Sequence, residues 1–345
     1  MRAAFESFNV WLPAVRAHSG ADVFTERLAR ALRARGHTVT VTWMPRWQEL
    51  APFAMRLKPP SGAQIIHANT WNAFAFCGLG IPVVATCHLC VHDSLLVPYK
   101  SRAQRAYHRL LVREFERRSI RCASAVTAVS AYTAERLQET YFEAAPQVVH
   151  NWIDFEAFPS SQIPAFEPGT RPFKLLYVGN RSARKGWELL PSLMERLGDG
   201  YQLRYAASLR GFAGGVKLPA NMISIPKVED DRHMETLYRQ ADVVVVPSRL
   251  EGFGYSVAEA MACGRPVVAF GNSSITEVLG GDSACGFVVP TDDLDAMEAA
   301  CRRLAADRST RAYMAQNAVI RCRTHFSEGV ALEAYERIYR ECLRV

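Results

Sequence analysis

Two short apolar runs, Val243–Val246 and Val267–Phe270, constrain the fold of this chain more than any other feature. Neither contains a polar residue, which is the pattern of a strand covered on both faces. Such strands pair in parallel, so residues 247–266 must hold a crossover helix. That helix is predicted from about Tyr255 and is closed by Gly264. The loop before it carries Glu251, Gly252 and Gly254. In such βαβ units ligands sit beyond the carboxyl ends of the strands, where a glycine-relaxed loop and a helix N-terminus meet an anion. Glu251 falls in this loop and Glu259 about one turn into the helix, so two carboxylates can flank one small polar ligand. Spacing alone equally allows an ordinary connection with a surface Glu and a helix-favouring Glu.

The same alternation runs through the whole chain. Strands are predicted at 5–12, 38–43, 64–67, 82–86, 125–129 and 147–150, and again at 174–179, 203–206, 223–225 and 287–289, with helical patterns between most of them. At 345 residues the chain is too long for one ordinary core. Residues 159–172 are rich in proline and small polar residues and read as a linker. The expected organisation is an α/β chain of two doubly wound parallel-sheet domains, at 1–165 and 166–327. A final helix, 328–343, places apolar residues at helical spacing and is expected to pack on the body, crossing back to the first domain.

Charge separates the halves. Residues 1–165 carry 18 Lys and Arg against 12 Asp and Glu, a net +6, while the remainder carries 23 against 22. Much of the excess lies in 100–121, where Arg105, Arg109, Arg113, Arg117 and Arg121 recur every fourth residue beside Leu110, Leu111 and Phe115. This stretch is either a solvated helix face or a contact for an anionic membrane surface. No nucleic-acid-binding motif accompanies it. No run approaches the ~18 apolar residues of a spanning helix and no apolar signal segment follows Met1, so a cytoplasmic location is expected. Nine scattered cysteines are expected to be reduced. Cys87 and Cys90, with His88, His92 and Asp93, outline a metal site, but zinc needs a second ligand pair and none is evident, so buried thiols are expected.

Three further features fall at predicted strand ends. Arg181, Arg184 and Lys185 share one strand-to-helix loop, where cations oppose the helix dipole. An anionic ligand would remove that conflict; solvated arginines are the alternative. His88 lies just past the 82–86 strand, where it meets a ligand or simply bonds a neighbouring backbone group. Gly20 stands near the start of a helix predicted over 22–34, where the backbone can approach a phosphate or a sugar. The D-D-L-D of 292–295 opens a helix and reads as a cap rather than a metal site. A dinucleotide-dependent oxidoreductase is disfavoured, because Gly252-Phe253-Gly254 lacks a correctly placed third glycine.

Taken together, E-G-F-G-Y-S-V-A-E at 251–259, V-G-N-R-S-A-R-K-G at 178–186, A-R-G-H-T-V-T-V at 34–41, H-N-W-I-D at 150–154 and A-E-A-M-A-C-G-R-P-V-V-A at 258–269 resemble the retaining GT-B glycosyltransferases of family 4, glycosyl transferases group 1. The likeness covers nearly the whole chain, and its E-x7-E pair is the most diagnostic part. It implies two Rossmann-like domains facing a cleft, an acceptor-binding first domain and a nucleotide-sugar-binding second one. It also implies transfer, with retention, from a UDP- or GDP-sugar to a polysaccharide, lipopolysaccharide or lipid-linked acceptor hydroxyl at the inner membrane face. Carried over by position, Glu259 would bind the ribose and Glu251 would sit by the donor sugar, with Gly252 and the backbone amides of Phe253 and Gly254 touching sugar or phosphate. Lys185 with Arg181 or Arg184 would hold the diphosphate. Gly20 and His88 would come from the first domain, His88 near sugar and acceptor. The resemblance implies no metal, and no cofactor beyond the nucleotide-sugar co-substrate. Asn180 departs from the family's arginine, Asn151-Trp152-Ile153-Asp154 from its N-G-x-D, and Ser273-Ser274 from a glycine pair. These departures leave a sugar-nucleotide-binding scaffold with impaired chemistry as the alternative.

Overall fold

The computed structural model describes residues 7–17, 19–55, 57–158, 172–211, 218–226, 228, 230–281 and 284–344. The chain divides into two compact units, Met1–Asn151 with Glu328–Val345, and Trp152–Ser327. The expected linker lies, apart from Pro172, outside the described residues.

The first unit is built on β1 (Asn9–Val15), β2 (Thr38–Met44), β3 (Ile65–Asn69), β4 (Val83–Cys87), β5 (Ala125–Ala128) and β6 (Gln147–Val148), in the order β2-β1-β3-β4-β5-β6. Neighbouring strands are parallel. Val10, Ile66 and Val84 are fully buried in it, as their apolar strand context requires. The first helix, α1 (Gly20–Ala34), starts two residues before the expected Asp22. Asp22 explains the early start: its carboxylate accepts the Ala17 N–H at 3.0 Å and the Ser19 hydroxyl at 3.2 Å, placing a negative charge in the first turn. Phe24, Leu28 and Leu32 form its buried stripe.

The basic stretch is not one regular helix. It consists of α2 (Arg102–Tyr107), a π-helical turn at His108–Val112, and α3 (Arg113–Cys122). Ser101 and Gln104 form a capping box at its start, and the wider turn re-phases the faces of the two halves. A further helix, α4 (Ala131–Thr140), follows β5. Cys77 and Cys122 form a disulfide, which corrects the expectation that all cysteines are reduced. Phe74 stacks on Phe115 and its N–H donates to Ser119 Oγ at 2.9 Å, so the two segments are already held side by side. Cys87 and Cys90 are buried free thiols, and burial pushes the Cys90 thiol up to about 11.

The second unit contains β7 (Phe173–Arg181), β8 (Tyr201–Gly211), β9 (Met222–Ser224), β10 (Val243–Val246), β11 (Val267–Phe270) and β12 (Gly286–Val289), in the order β12-β11-β10-β7-β8-β9. Its helices are α5 (Leu190–Leu197), α6 (Asp231–Gln240), α7 (Tyr255–Ala262), α8 (Ser274–Leu279), α9 (Leu294–Ala306) and α10 (Arg308–His325). The two apolar runs pair in parallel, Val244 opposite Val267, with every residue of both buried. Asp293 caps α9, accepting the Ala296 N–H at 2.8 Å.

From β7 the chain winds outward through β8 and β9, then returns to β10 and winds the other way through β11 and β12. The order therefore reverses between β7 and β10. In the first unit it reverses between β1 and β3. Ligand crevices of open α/β sheets form at such switch points.

The division falls at Asn151/Trp152 rather than at 165/166. Trp152, Ile153 and Phe158 are fully buried, and Ile153 bridges Ser327. The last helix, α11 (Glu328–Leu343), belongs to the first unit. Its Glu336 pairs with Arg35 at 3.0 Å and His37 at 3.2 Å, and its Tyr339 hydroxyl lies 2.7 Å from His67 Nδ1.

Candidate functional site

Two loops emerge at the switch point of the second unit, Arg181–Gly186 after β7 and Ser248–Gly254 after β10. Gly186 fixes how closely they approach. Its φ is +65°, and a Cβ there would meet the Pro247 carbonyl oxygen at 2.0 Å. Only glycine fits both the conformation and the contact. The Arg249 N–H donates to Arg184 O at 2.9 Å, and the Arg249 guanidinium donates to Ala183 O, to Glu188 and, at 2.6 Å, to Asp292. Arg249 is thus a buried rivet between the two loops.

This arrangement joins Lys185 to Glu251. The Lys185 ammonium donates to Glu251 Oε1, and Arg184 Nη1 lies 3.7 Å from Oε2. Burial alone would push the Glu251 carboxyl up, but the adjacent Lys185 and Arg184 outweigh it and hold it below the usual carboxylate range. Burial, with Arg184 alongside, depresses Lys185 against the opposing pull of Glu251. Arg184 also donates to Leu250 O at 2.6 Å.

Arg181 goes elsewhere. Its guanidinium lies 5.1 Å from the Trp187 ring and 5.4 Å from the Tyr205 ring. The structure therefore brings Arg184 and Lys185 together at Glu251 and stacks Arg181 on aromatics. Asn180 contributes its carbonyl oxygen to the Tyr177 hydroxyl at 2.8 Å.

Glu259 stands one turn into α7, as its spacing predicts, and is 9% exposed. The Tyr238 hydroxyl donates to its Oε2 at 3.0 Å. Gly254 is the left-handed residue that starts α7, with φ +91°. The Phe253 ring is buried against Tyr255 and Phe326. Asn272, just before α8, and Ser274, its first residue, lean on the same loop: Asn272 Nδ2 donates to Arg249 O at 2.6 Å and Ser274 Oγ to Glu251 O at 3.0 Å. Asn272 Oδ1 and Ser273 Oγ are buried with no hydrogen-bond partner among the described residues. Sequence reasoning missed Arg249, Asn272, Ser273 and Tyr238. Arg249 stands two positions before Glu251, but no spacing rule connects it to Asp292.

At the switch point of the first unit lies a cavity of about 140 Å³. Val15, Ser19, Phe24, Met55, Asn72 and His88 are among the residues that line it. The His88 ring sits 4.6 Å from that of Phe24, edge to face, and burial lowers its pKa to about 4, so it is neutral at pH 7. Gly20 is the first residue of α1, flanked by the cavity-lining Ser19 and Ala21. Asn72 is 5% exposed, and its Oδ1, like the Oε1 of Gln48, has no hydrogen-bond partner among the described residues. Among the described residues no three His, Cys, Asp or Glu side chains are grouped to hold a metal.

Comparison with known proteins agrees with this geometry. A model of the glycosyl transferases group 1 matches residues 161–321, and one of Glycosyltransferase Family 4 matches residues 42–157. The lipopolysaccharide core biosynthesis mannosyltransferase LpsB of Rhizobium meliloti (strain 1021) is 36% identical over 108 residues, 31% of each chain. It and two further curated relatives are matched over only 24 to 38% of their own lengths. Among solved structures, sucrose-phosphate synthase from Thermosynechococcus elongatus superposes with a TM-score of 0.78 at 20% identity, covering 97% of this chain and 98% of that one. Anabaena Alr3699/HepE in complex with UDP superposes with a TM-score of 0.71 at 15% identity, covering 96% and 100%. At these identities the two structures speak for the fold alone.

Proposed function

This chain belongs to the family 4, group 1 glycosyltransferases of GT-B fold, and from that premise we propose that it transfers a sugar, with retention of configuration, from a UDP- or GDP-sugar to the hydroxyl of a polysaccharide, lipopolysaccharide or lipid-linked acceptor. One observation carries the proposal: Lys185, Arg184 and Glu251 converge from two loops at the switch point of the second unit, with Glu259 one turn into the following helix. Two cations there give a departing diphosphate its countercharge without a metal ion, in positions fixed before the charge develops. Glu259, oriented by Tyr238, takes the ribose hydroxyls, and Glu251 the donor sugar. Asn272 Oδ1 and Ser273 Oγ offer further acceptors to donor hydroxyls.

In this mechanism the bond from the anomeric carbon to the phosphate oxygen breaks as the acceptor oxygen bonds to that carbon on the same face. The acceptor proton passes to the departing phosphate. Neutral His88, with Gly20 at the start of α1 in the same unit, serves the sugar and acceptor. A mannosyltransferase of lipopolysaccharide core synthesis among the relatives supports this acceptor class. No described helix is long and apolar enough to cross a membrane. We place the enzyme in the cytoplasm, at the inner membrane face, with residues 100–121 turned to anionic lipid.

The test is a thermal-shift screen over UDP-, GDP-, ADP- and CMP-sugars, followed by product detection with the stabilising donor. Transfer that disappears in both Glu259→Ala and Lys185→Ala is expected. Stabilisation without transfer over a broad acceptor set would instead identify a binding scaffold.

A further inference from the structure

The disulfide between Cys77 and Cys122 stands apart from every other cysteine of the chain. Cys122 is exposed and Cys77 half-buried, whereas the seven free cysteines are all buried. A thiol reagent in solvent therefore meets this pair first. In a reducing compartment a disulfide of this kind is usually one that opens and closes rather than a permanent staple.

What the pair fastens is a wall of the first unit's cavity. Residues 69–77 run from the end of β3 along α3, and Asn69, Trp71 and Asn72 line the cavity that His88 also lines. Four attachments tie this segment to α3. The Thr70 hydroxyl donates to the Glu116 carboxylate at 3.0 Å, the Phe74 ring stacks on that of Phe115, the Phe74 N–H donates to Ser119 Oγ at 2.9 Å, and Cys77 is bonded to Cys122. Phe115, Glu116 and Ser119 are buried, so the first three attachments persist when the disulfide opens. The fourth is the one at the solvent edge. Beyond it lies an exposed turn, Gly78-Leu79-Gly80, so the disulfide is what anchors this end of the segment to α3. Opening it loosens a wall that stays folded.

We propose that Cys77 and Cys122 form a reversible thiol–disulfide exchange site, through which a dithiol reductant loosens the cavity wall at 69–77 and a disulfide oxidant tightens it. In the opening step a thiolate of the reductant attacks Cys122 Sγ, the bond to Cys77 breaks, and Cys77 leaves as a thiolate. The reductant's second thiolate then attacks its own sulfur in the mixed disulfide and frees Cys122. Each cysteine takes up the proton that the attacking thiol released. Two electrons pass to the pair, and the reductant ends as a disulfide. Closure is the reverse, with a small-molecule disulfide such as oxidised glutathione taking the electrons. The exchange site stands on the first unit's geometry alone; its effect on an acceptor rests on the proposed glycosyl transfer.

The experiment treats the full chain with dithiothreitol and then alkylates it with iodoacetamide in the absence of denaturant. Label is expected on Cys77 and Cys122 and on no buried cysteine, with circular dichroism unchanged. Hydrogen exchange of the peptide 69–77 should quicken about tenfold on reduction and slow again after oxidised glutathione. In Cys77→Ser/Cys122→Ser it should stay fast under either reagent. Where that variant does not fold, the cycle of reduction and reoxidation on the wild-type chain carries the test. In transfer assays reduction should raise the acceptor KM at least threefold and leave UDP or GDP affinity unchanged. Absence of label without denaturant, or exchange at 69–77 indifferent to dithiothreitol, would overturn the switch. Loss of native circular dichroism on reduction would overturn it too, because the bond would then be a structural staple. An active enzyme with the same acceptor KM in both states would overturn the coupling to the acceptor. Labelling and exchange need no substrate, so a chain that shows both and transfers nothing counts against glycosyl transfer alone.

Discussion

The Lys185 ammonium and the Glu251 carboxylate are hydrogen-bonded across the point where the second sheet reverses its strand order, one from the loop after β7 and the other from the loop after β10. The pair is held from behind by Arg249 and by the contact of Gly186 with Pro247. In the proposed reaction a diphosphate would find these cations already placed, with Glu251 as the group that holds them beforehand.

A double-mutant cycle separates the structural share of this pair from its functional share. Lys185→Met leaves a buried carboxylate with only Arg184 nearby and should cost about 2–3 kcal/mol of stability. Lys185→Met/Glu251→Gln should recover most of that in urea denaturation, yet remain without turnover. Because the folded Glu251 carboxyl is held low, its contribution is complete above the ordinary carboxylate range and is lost as pH falls through the lower folded value. Glu251→Gln should flatten stability over that acid window.

The two arginines of the loop after β7 should behave differently. Arg184→Gln should weaken UDP or GDP binding at least tenfold by calorimetry, because its guanidinium stands beside Glu251. Arg181→Gln should change affinity less than about twofold while lowering the melting temperature, through the loss of its contacts with Trp187 and Tyr205. Equal losses of affinity would make Arg181 a nucleotide contact as well.

Gly186→Ala should disable the site while leaving most of the second unit folded. A left-handed non-glycine residue costs about 1–2 kcal/mol before any clash, and the clash here is with the backbone of Pro247. The expected result is a displaced loop, with nucleotide affinity down more than tenfold and near-native circular dichroism.

Acid should destabilise the first unit before any carboxylate titrates. His88 has a folded pKa of about 4, lowered by burial, against an ordinary value near 6.5. Its contribution is complete above the ordinary value and is lost progressively as pH falls from there through about 4. Denaturation at pH 7.5 and 4.5 should show His88→Gln losing about 2 kcal/mol less than wild type between the two. His67, lowered in the same direction by burial and by His88, keeps part of the slope in the variant. Identical slopes would mean that His88 is solvated.

Local pattern alone placed β10, β11 and α11 at their observed bounds, set Glu259 one turn into α7, and read the acidic run 292–295 as a helix cap, which Asp293 supplies. It could do so because strand and helix periodicities, glycine stops and capping side chains act over a few residues, and the same residues carry the family likeness. Other features needed tertiary structure, because they join residues far apart in the chain whose proximity only the topology sets. Arg249 meets Asp292, Tyr238 meets Glu259, and Cys77 meets Cys122 in this way. The surroundings of Arg181, Arg184 and Lys185 were likewise closed to composition, since neighbouring cations in one loop give no sign of what faces each. Sheet packing set aromatic rings under one and a buried carboxylate beside the other two. The cavity lining by Gln48, Glu49, Pro52 and Met55 was hidden for a related reason: these residues lie in and beside two 3₁₀ turns, Arg46–Glu49 and Pro52–Ala54, and only the surrounding fold decides which of their side chains are covered.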